Sequence, residues 1–243
     1  MSIEILPLAV AEEITAAHDL ADLVLTAAPP LLEGDIVVVT HKAVSKSEGR
    51  VADLTDVVPS EEARARAADH SDPRLVELII RESRRILRQR GPLFVTETRQ
   101  GMVCANAGID RSNAPRPDTV VLLPTDPDAS ACALRTRLVE RARCTVAVVI
   151  ADTMGRAWRE GIVGTAIGLC GLDPLRAMAG EVDPNGYELA STVVALADEL
   201  AAAADLAFGK LDRVPFVLIR GFVAGGEGSA QQLIREPERD LFR

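Results

Sequence analysis

Histidine and cysteine are scarce in this chain of 243 residues, which holds three of the former and four of the latter. Cys104, Cys132, Cys144 and Cys170 show no CxxC spacing, and His18, His41 and His70 are too dispersed for HExxH. Neither a zinc framework nor a disulfide scaffold is indicated, and the thiols read as small buried side chains. Long apolar runs are missing too. No window approaches the roughly 20 residues of a membrane span, and Met1-Ser2-Ile3-Glu4 has no basic stretch followed by an apolar one; a soluble, cytoplasmic protein is the expectation. Positive charge is in deficit, with 27 Lys and Arg against 36 Asp and Glu and a net charge of -9. That balance argues against an extended surface for nucleic acid or anionic lipid, since phosphate affinity rests largely on Lys and Arg. The phosphate loops GxxxxGK[ST] and GxGxxG are absent, as is the serine-nucleophile pattern GxSxG. An anionic ligand must find a local basic pocket, and a nucleotide must be held by another device.

What is present is a core. Hydrophobic residues make up 48% of the chain and the mean hydropathy is +0.14, enough for one large domain or two small ones. Strands and helices alternate, which predicts an α/β (α+β mixed) fold. Ile3 to Leu8 reads as a strand, and His18 to Ala28 as a helix that stops before Pro29-Pro30. Glu33-Gly34-Asp35 turns into Ile36-Val37-Val38-Val39-Thr40, whose lack of polar alternation predicts burial on both faces. The following segment, His41 to Arg50, reads as a loop. Ser60 to Arg90 predicts amphipathic helix broken near Pro73. Leu93 to Glu97 and Gly101 to Ala105 form a hairpin or two short strands, leading into the polar loop Asn106 to Asn113. Val120 to Leu123 is a strand, Asp128 to Arg143 a helix, and Thr145 to Ala151 a buried strand. Ile162 to Cys170 is small and apolar, and Asp183-Pro184-Asn185-Gly186 is a turn. Leu189 to Leu206 is an Ala-rich helix with Asp198 and Glu199 toward water, and Phe216 to Arg220 a late strand. The charged tail from Glu236 to Arg243 is expected to fray.

Chemistry is expected where Thr145 to Ala151 gives way to Asp152-Thr153-Met154-Gly155-Arg156-Ala157-Trp158-Arg159. A carboxylate at the end of a buried strand needs a cation or hydrogen bonds. Asp110 follows an apolar segment in the same way. Two aspartates with an adjacent hydroxyl suffice for magnesium or manganese, which fill their other positions with water and phosphates. Caps are the competing use: Asp110 of a turn, Asp152 of a helix beginning at Thr153. Lys42 and Lys46 can hold phosphates as point charges or simply face solvent. Arg156 and Arg159 can fork onto a carboxylate or phosphate beside a stacking Trp158; equally, they can line a helix surface with Trp158 in the core.

Five ordered blocks carry a resemblance along essentially the full length. They are Gly34-Asp35 with VVVTHKAVSKSEGR, NAGIDRSN, IADTMGRAWREG, DPNGYEL with the Ala-rich segment after it, and VPFVLIRG with the closing DLFR. The chain resembles the coenzyme F420-0:L-glutamate ligase family, also called F420 gamma-glutamyl ligase. The resemblance implies a single ligase domain over 1–243, in a two-part fold that works as an intertwined homodimer. Some relatives carry a second, flavin-reductase-like domain after DLF, which this sequence does not include, so a stand-alone ligase or the ligase domain of a longer protein is expected. It implies GTP-dependent joining of L-glutamate to the deazaflavin precursor F420-0 through an acyl phosphate. Asp110 and Asp152 would bind one divalent ion, Mg2+ or Mn2+, and Thr153 would help bind a second, with K+ as a further candidate ion. Lys46 and Asn113 would contact GTP, as would His41 and the stretch Ala11-Glu12-Glu13-Ile14. Asp110, Asp152 and Lys46 would be catalytic, and Arg156 and Arg159 would hold the anionic precursor. The family usually reads Gly-Ile/Leu-Pro-Glu where this chain has Val10-Ala11-Glu12-Glu13, and Ser or Gln where it has His41. Beside this reading stand a related nucleotide-dependent ligase for another small carboxylate, and a non-catalytic deazaflavin- or partner-binding module.

Overall fold

Ile36, Val37, Val38 and Val39 are at most 1% exposed, because layers of helix cover both faces of the strand they form. The structure, a computed structural model, describes residues 2–209 and 211–240. Its elements run β1 (Glu4–Leu8), α1 (Leu20–Ala27), β2 (Ile36–Thr40), α2 (His41–Ser47), β3 (Val51–Asp53), α3 (Glu61–Ala67), α4 (Pro73–Glu82), β4 (Ser83–Arg90), β5 (Leu93–Thr98) and β6 (Val103–Ala105). They continue with β7 (Thr119–Val121), α5 (Pro127–Ala142), β8 (Ala147–Arg156), β9 (Arg159–Cys170), β10 (Arg176–Ala177), β11 (Val193–Val194), α6 (Leu196–Phe208) and β12 (Phe216–Arg220).

The main sheet has the order β1-β12-β2-β8-β9, with β2 and β8 parallel and the other pairs antiparallel. Strand period two sends Val37, Val39, Val148 and Ile150 into one core with α1 and α5, and Ile36, Val38, Val149 and Ala151 into a second with α6. At the start of β2, Asp35 (1% exposed) receives a bidentate fork from Arg220 at 2.9 and 2.7 Å, which clamps the end of β12. The edges are β1 and β9, and β9 is the one covered by acids. Its Leu169 N–H donates to Asp128 and its Ala166 N–H to Asp198, so carboxylates cover donors that would otherwise template further pairing. Asp128 also accepts from Ser229 and from the Ala230 N–H, tying down the glycine-rich segment before them.

The second part is smaller. β4-β5-β6 form one sheet and β3-β7 another, closed by two apolar clusters around Phe94 and Leu54 with α3 and α4. The chain is therefore α/β with several sheets, as the alternation predicts.

Several local readings change. His41 to Ser47 is the helix α2 rather than a loop, and residues 83–90 leave the predicted helix to become β4. Ser83 is already extended at the end of α4, and six residues of β4 find register partners on β5; pairing overrides the helix propensity of an Arg-rich segment. β8 does not end at Ala151 but runs through Asp152 to Arg156, paired along its length with β9. No helix begins at Thr153, which removes the capping role for Asp152, and Trp158 is 86% exposed on the hairpin tip instead of in the core. α6 begins at Leu196, and Asp198 turns toward Ala166 of β9 rather than to water. Cys132 and Cys170 form a disulfide with Cα atoms 5.0 Å apart, correcting the expectation of four thiols. Their separation of 38 residues carries no motif, and only the packing of α5 on β9 brings them together. Cys104 and Cys144 are free and half-buried. The tail prediction falls partly on residues 241–243, outside the described residues.

Candidate active site

The parallel pair β2-β8 ends at Thr40 opposite Ala151, and the next residue on each strand is a polar one, His41 and Asp152. In open α/β sheets this carboxyl end of parallel strands is where ligands bind. Here it opens into a cleft of about 660 Å3, whose walls include Glu12, Glu13, Ile14, His41, Lys46, Asn113, Asp152 and Thr153. Four segments far apart in the chain thus meet. Ala11 does not line the cleft, but its carbonyl accepts from the guanidinium of Arg213, which does.

Asp152 is on the β8 face that also carries Val148 and Ile150, and its side chain is 13% exposed. Its Oδ1 accepts from the Thr153 N–H at 2.7 Å and lies 3.3 Å from His41 Nε2. His41 is 2% exposed, and neither ring nitrogen has a hydrogen-bond partner among the described residues; the 3.3 Å approach is too poorly aligned to be one. A buried imidazole left so is costly, and His41 lines the cleft.

Asp110 is fixed by the isolated bridge to Val121 and does not itself line the cleft, although its partners Lys42 and Ser112 do. Ser112 folds back on it with its N–H at 2.6 Å and its hydroxyl at 3.0 Å, and Lys42 Nζ lies 2.6 Å from Asp110 Oδ2 and 2.6 Å from Ser112 Oγ. Burial pushes the Asp110 carboxyl up, but the Lys42 ammonium and the Ser112 donors outweigh it and hold the group below the usual carboxylate range. Lys46, with a side chain 10% exposed, pairs with Glu13 at 2.5 Å. Asn113 takes a left-handed backbone (φ 55°), which Asn tolerates better than most residues. The donor chemistry fits a hard divalent cation: carboxylates at Asp110 and Asp152, the Thr153 hydroxyl, and an ammonium already drawn to the Asp110 oxygens.

Arg156 and Arg159 are not on the cleft. They pair with each other at the end of β8-β9, both exposed, with Arg156 donating to the Glu160 carbonyl at 2.8 Å. In their place the cleft has Asp205 and Phe208 from α6 and Arg213 and Pro215 from the segment before β12. No sequence motif singled these out. The one available signal was the polar run Asp212-Arg213 before an apolar strand, the pattern that flagged Asp110 and Asp152 in reverse order.

The sequence profile of the F420-0:gamma-glutamyl ligase family matches residues 10–221, a span that holds every residue of the cleft. Among similar proteins, the coenzyme F420:L-glutamate ligase of Methanopyrus kandleri is 44% identical over 100% of this chain and 98% of its own length. The coenzyme F420:L-glutamate ligase of Methanothermobacter thermautotrophicus is 45% identical over 94% of each. That of Archaeoglobus fulgidus is 38% identical over 100% of this chain and 97% of its own. No helix among the described residues is long and apolar enough to cross a membrane. A family match over most of the chain and near full-length identity at this level leave one assignment: the chain belongs to the F420-0:gamma-glutamyl ligase family.

Proposed function

We propose that this ligase joins L-glutamate to the carboxylate of the deazaflavin precursor F420-0, driven by GTP, in coenzyme F420 biosynthesis. The observation that carries the reading is the meeting, in one cleft, of Lys46, Asn113 and the segment Glu12 to Ile14 with Asp152 and Thr153, while Asp110 is paired to Lys42 of the cleft wall. Cations at one side suit phosphates, and carboxylates at the other suit the ion that accompanies them.

A carboxylate resists attack by an amine because its charge repels the nucleophile. In the proposed sequence a carboxylate oxygen of the precursor attacks the γ-phosphorus of GTP and GDP leaves, giving an acyl phosphate. The glutamate nitrogen, having lost a proton, then attacks the acyl carbon. The C–N bond forms, the C–O bond to phosphate breaks, and the nitrogen sheds a second proton to leave the amide. Asp110, Asp152 and Thr153 would hold Mg2+ or Mn2+, two ions in all, which supply charge neutralisation to the phosphates. Among the described residues no three His, Cys, Asp or Glu side chains converge on one point, so phosphate oxygens and water would complete the coordination. Lys46, once released from Glu13, would meet the transferring phosphoryl group. Arg156 and Arg159 are proposed to meet the anionic precursor across the subunit contact of a homodimer, since the hairpin carries them away from their own cleft.

Titration calorimetry tests the nucleotide half of the proposal. GTP should bind with micromolar affinity in the presence of Mn2+ and far more weakly with the metal chelated. Equal affinity in both conditions would remove the metal from the account.

A further inference from the structure

The proposed function assigns the cleft to phosphates and their ion and leaves the site of the amino-acid acceptor open. Beyond the edge of β9 lies a second cavity of about 220 Å3, lined by Met102, Met154, Thr165, Asp198, Gln231 and Arg235 among others. It is smaller than the roughly 300–1,000 Å3 of sites for drug-sized ligands. A nucleotide or a polycyclic precursor is too large for it, whereas a single amino acid is not. Its floor is the same ribbon that carries the cleft: Thr165 is the register partner of Asp152, and Met154 follows Asp152 two residues on, on the same strand face.

The cavity is lined by a half-buried acid, Asp198, and an exposed base, Arg235, neither in an ion pair among the described residues. Asp198 is half-buried, and its Oδ1 accepts the Ala166 N–H at 2.9 Å, while Oδ2 accepts no hydrogen bond among the described residues. Burial raises its carboxyl, offset in part by that N–H, which is the mark of a carboxylate short of a cation. Arg235 is a guanidinium with no ion-pair partner among the described residues. Asp240, the other acid on the wall, already has a partner. At the rim, Arg84 Nη1 lies 3.5 Å from the point a Cβ on Gly101 would occupy, with Ile234 and Gln231 around the same point, so a second guanidinium stands beside the cavity's lining. Arg84 is also 3.7 Å from Glu97.

We propose that this cavity binds the amino-acid acceptor, an α-amino dicarboxylate, with Asp198 receiving the ammonium and Arg235 one carboxylate, and with Arg84 at the rim for the other. The inference rests on the ligase reading above and adds the site from which the amine approaches. Asp198 would hold the ammonium beside β9, whose Thr165 is the register partner of Asp152, and loss of one proton from it gives the amine that attacks the acyl phosphate.

Steady-state kinetics at saturating GTP and precursor tests it. Asp198→Asn keeps an amide oxygen for the Ala166 N–H, so the edge of β9 stays capped, but it loses the charge. The KM for glutamate should rise about 10- to 100-fold while the KM for GTP stays within twofold. Arg235→Ala should behave the same way, and Arg235→Lys should recover part of the loss. Wild-type turnover with a glutamate KM within twofold of wild type in both Asp198→Asn and Arg235→Ala overturns this inference alone. Wild-type protein that turns over no glutamate overturns the ligase reading and this one together.

Discussion

Asp110 and Asp152 differ in how each carboxylate is compensated. Asp110 already holds an ammonium and two donors from Ser112, whereas Asp152 has one backbone N–H and an imidazole whose nitrogens are unpaired. The less satisfied of the two is the one whose surroundings a ligand would change most. Lys46, tied to Glu13 at 2.5 Å, makes a different prediction. Lys46→Ala should weaken GTP binding by about 10- to 100-fold, the loss of one charge-assisted contact to phosphate, read by calorimetry with Mn2+; unchanged affinity would assign Lys46 to Glu13 alone. These residues were legible in the sequence because apolar strands and motif blocks stop at them. Arg156 and Arg159 stand away from the cleft for a physical reason. They were read with Asp152 as one cluster, but at about 3.3 Å of rise per residue a continuing strand carries Arg156 roughly 13 Å beyond it. Asp205, Phe208 and Arg213 were illegible because an antiparallel β12, returning from far along the chain, brings them to the cleft.

At the scale of elements, close approach and capping set the positions of the helices. A Cβ on Gly168 of β9 would sit 2.5 Å from the Pro127 backbone at the start of α5, so Gly168→Ala should force the two apart. We expect a loss of about 1–3 kcal/mol in denaturant-derived stability, as for other overpacked sites. No loss would mean that α5 is not seated on β9 this closely. Glu77 of α4 ties α4 to the start of α3. It accepts the Ser60 N–H at 2.9 Å and Arg81 at 2.8 Å, and the donors at Ser60, then Arg81, lower its carboxyl from 4.5 to about 2. The folded state therefore binds that proton less readily than the unfolded chain. The stabilisation is fully present above about pH 4.5 and is lost as pH falls through about 2. Glu77→Ala should cost about 1–3 kcal/mol at pH 7, with the gap to wild type narrowing in melts at pH 3; a gap independent of pH would contradict the assignment. α2 and β4 escaped the sequence reading because each is decided by its neighbours. α2 is a short helix buried against β2 and β8, and β4 is an Arg-rich segment held extended by β5.

Over the whole molecule, the alternation of strands and helices announced the α/β class, and the near-unbroken valine run of β2 announced burial on both faces. The division of labour between the parts was not visible. The main sheet carries Asp152, His41 and Lys46, while the smaller part contributes the loop with Asp110, Ser112 and Asn113, and the cleft exists where the two meet. The disulfide between α5 and β9 was hidden for the same reason, since its partners become neighbours only in the finished fold. The central claim is that this junction drives amide formation through Asp152. Purified wild-type protein and its Asp152→Asn variant should be incubated with GTP, Mg2+ or Mn2+, L-glutamate and F420-0, and the products followed by mass spectrometry. Wild type should yield glutamylated precursor with one GDP and one phosphate for each glutamate added, and the folded variant should be slowed at least about 100-fold. Glutamylation by the variant at the wild-type rate, or none by wild type under either metal, would contradict it.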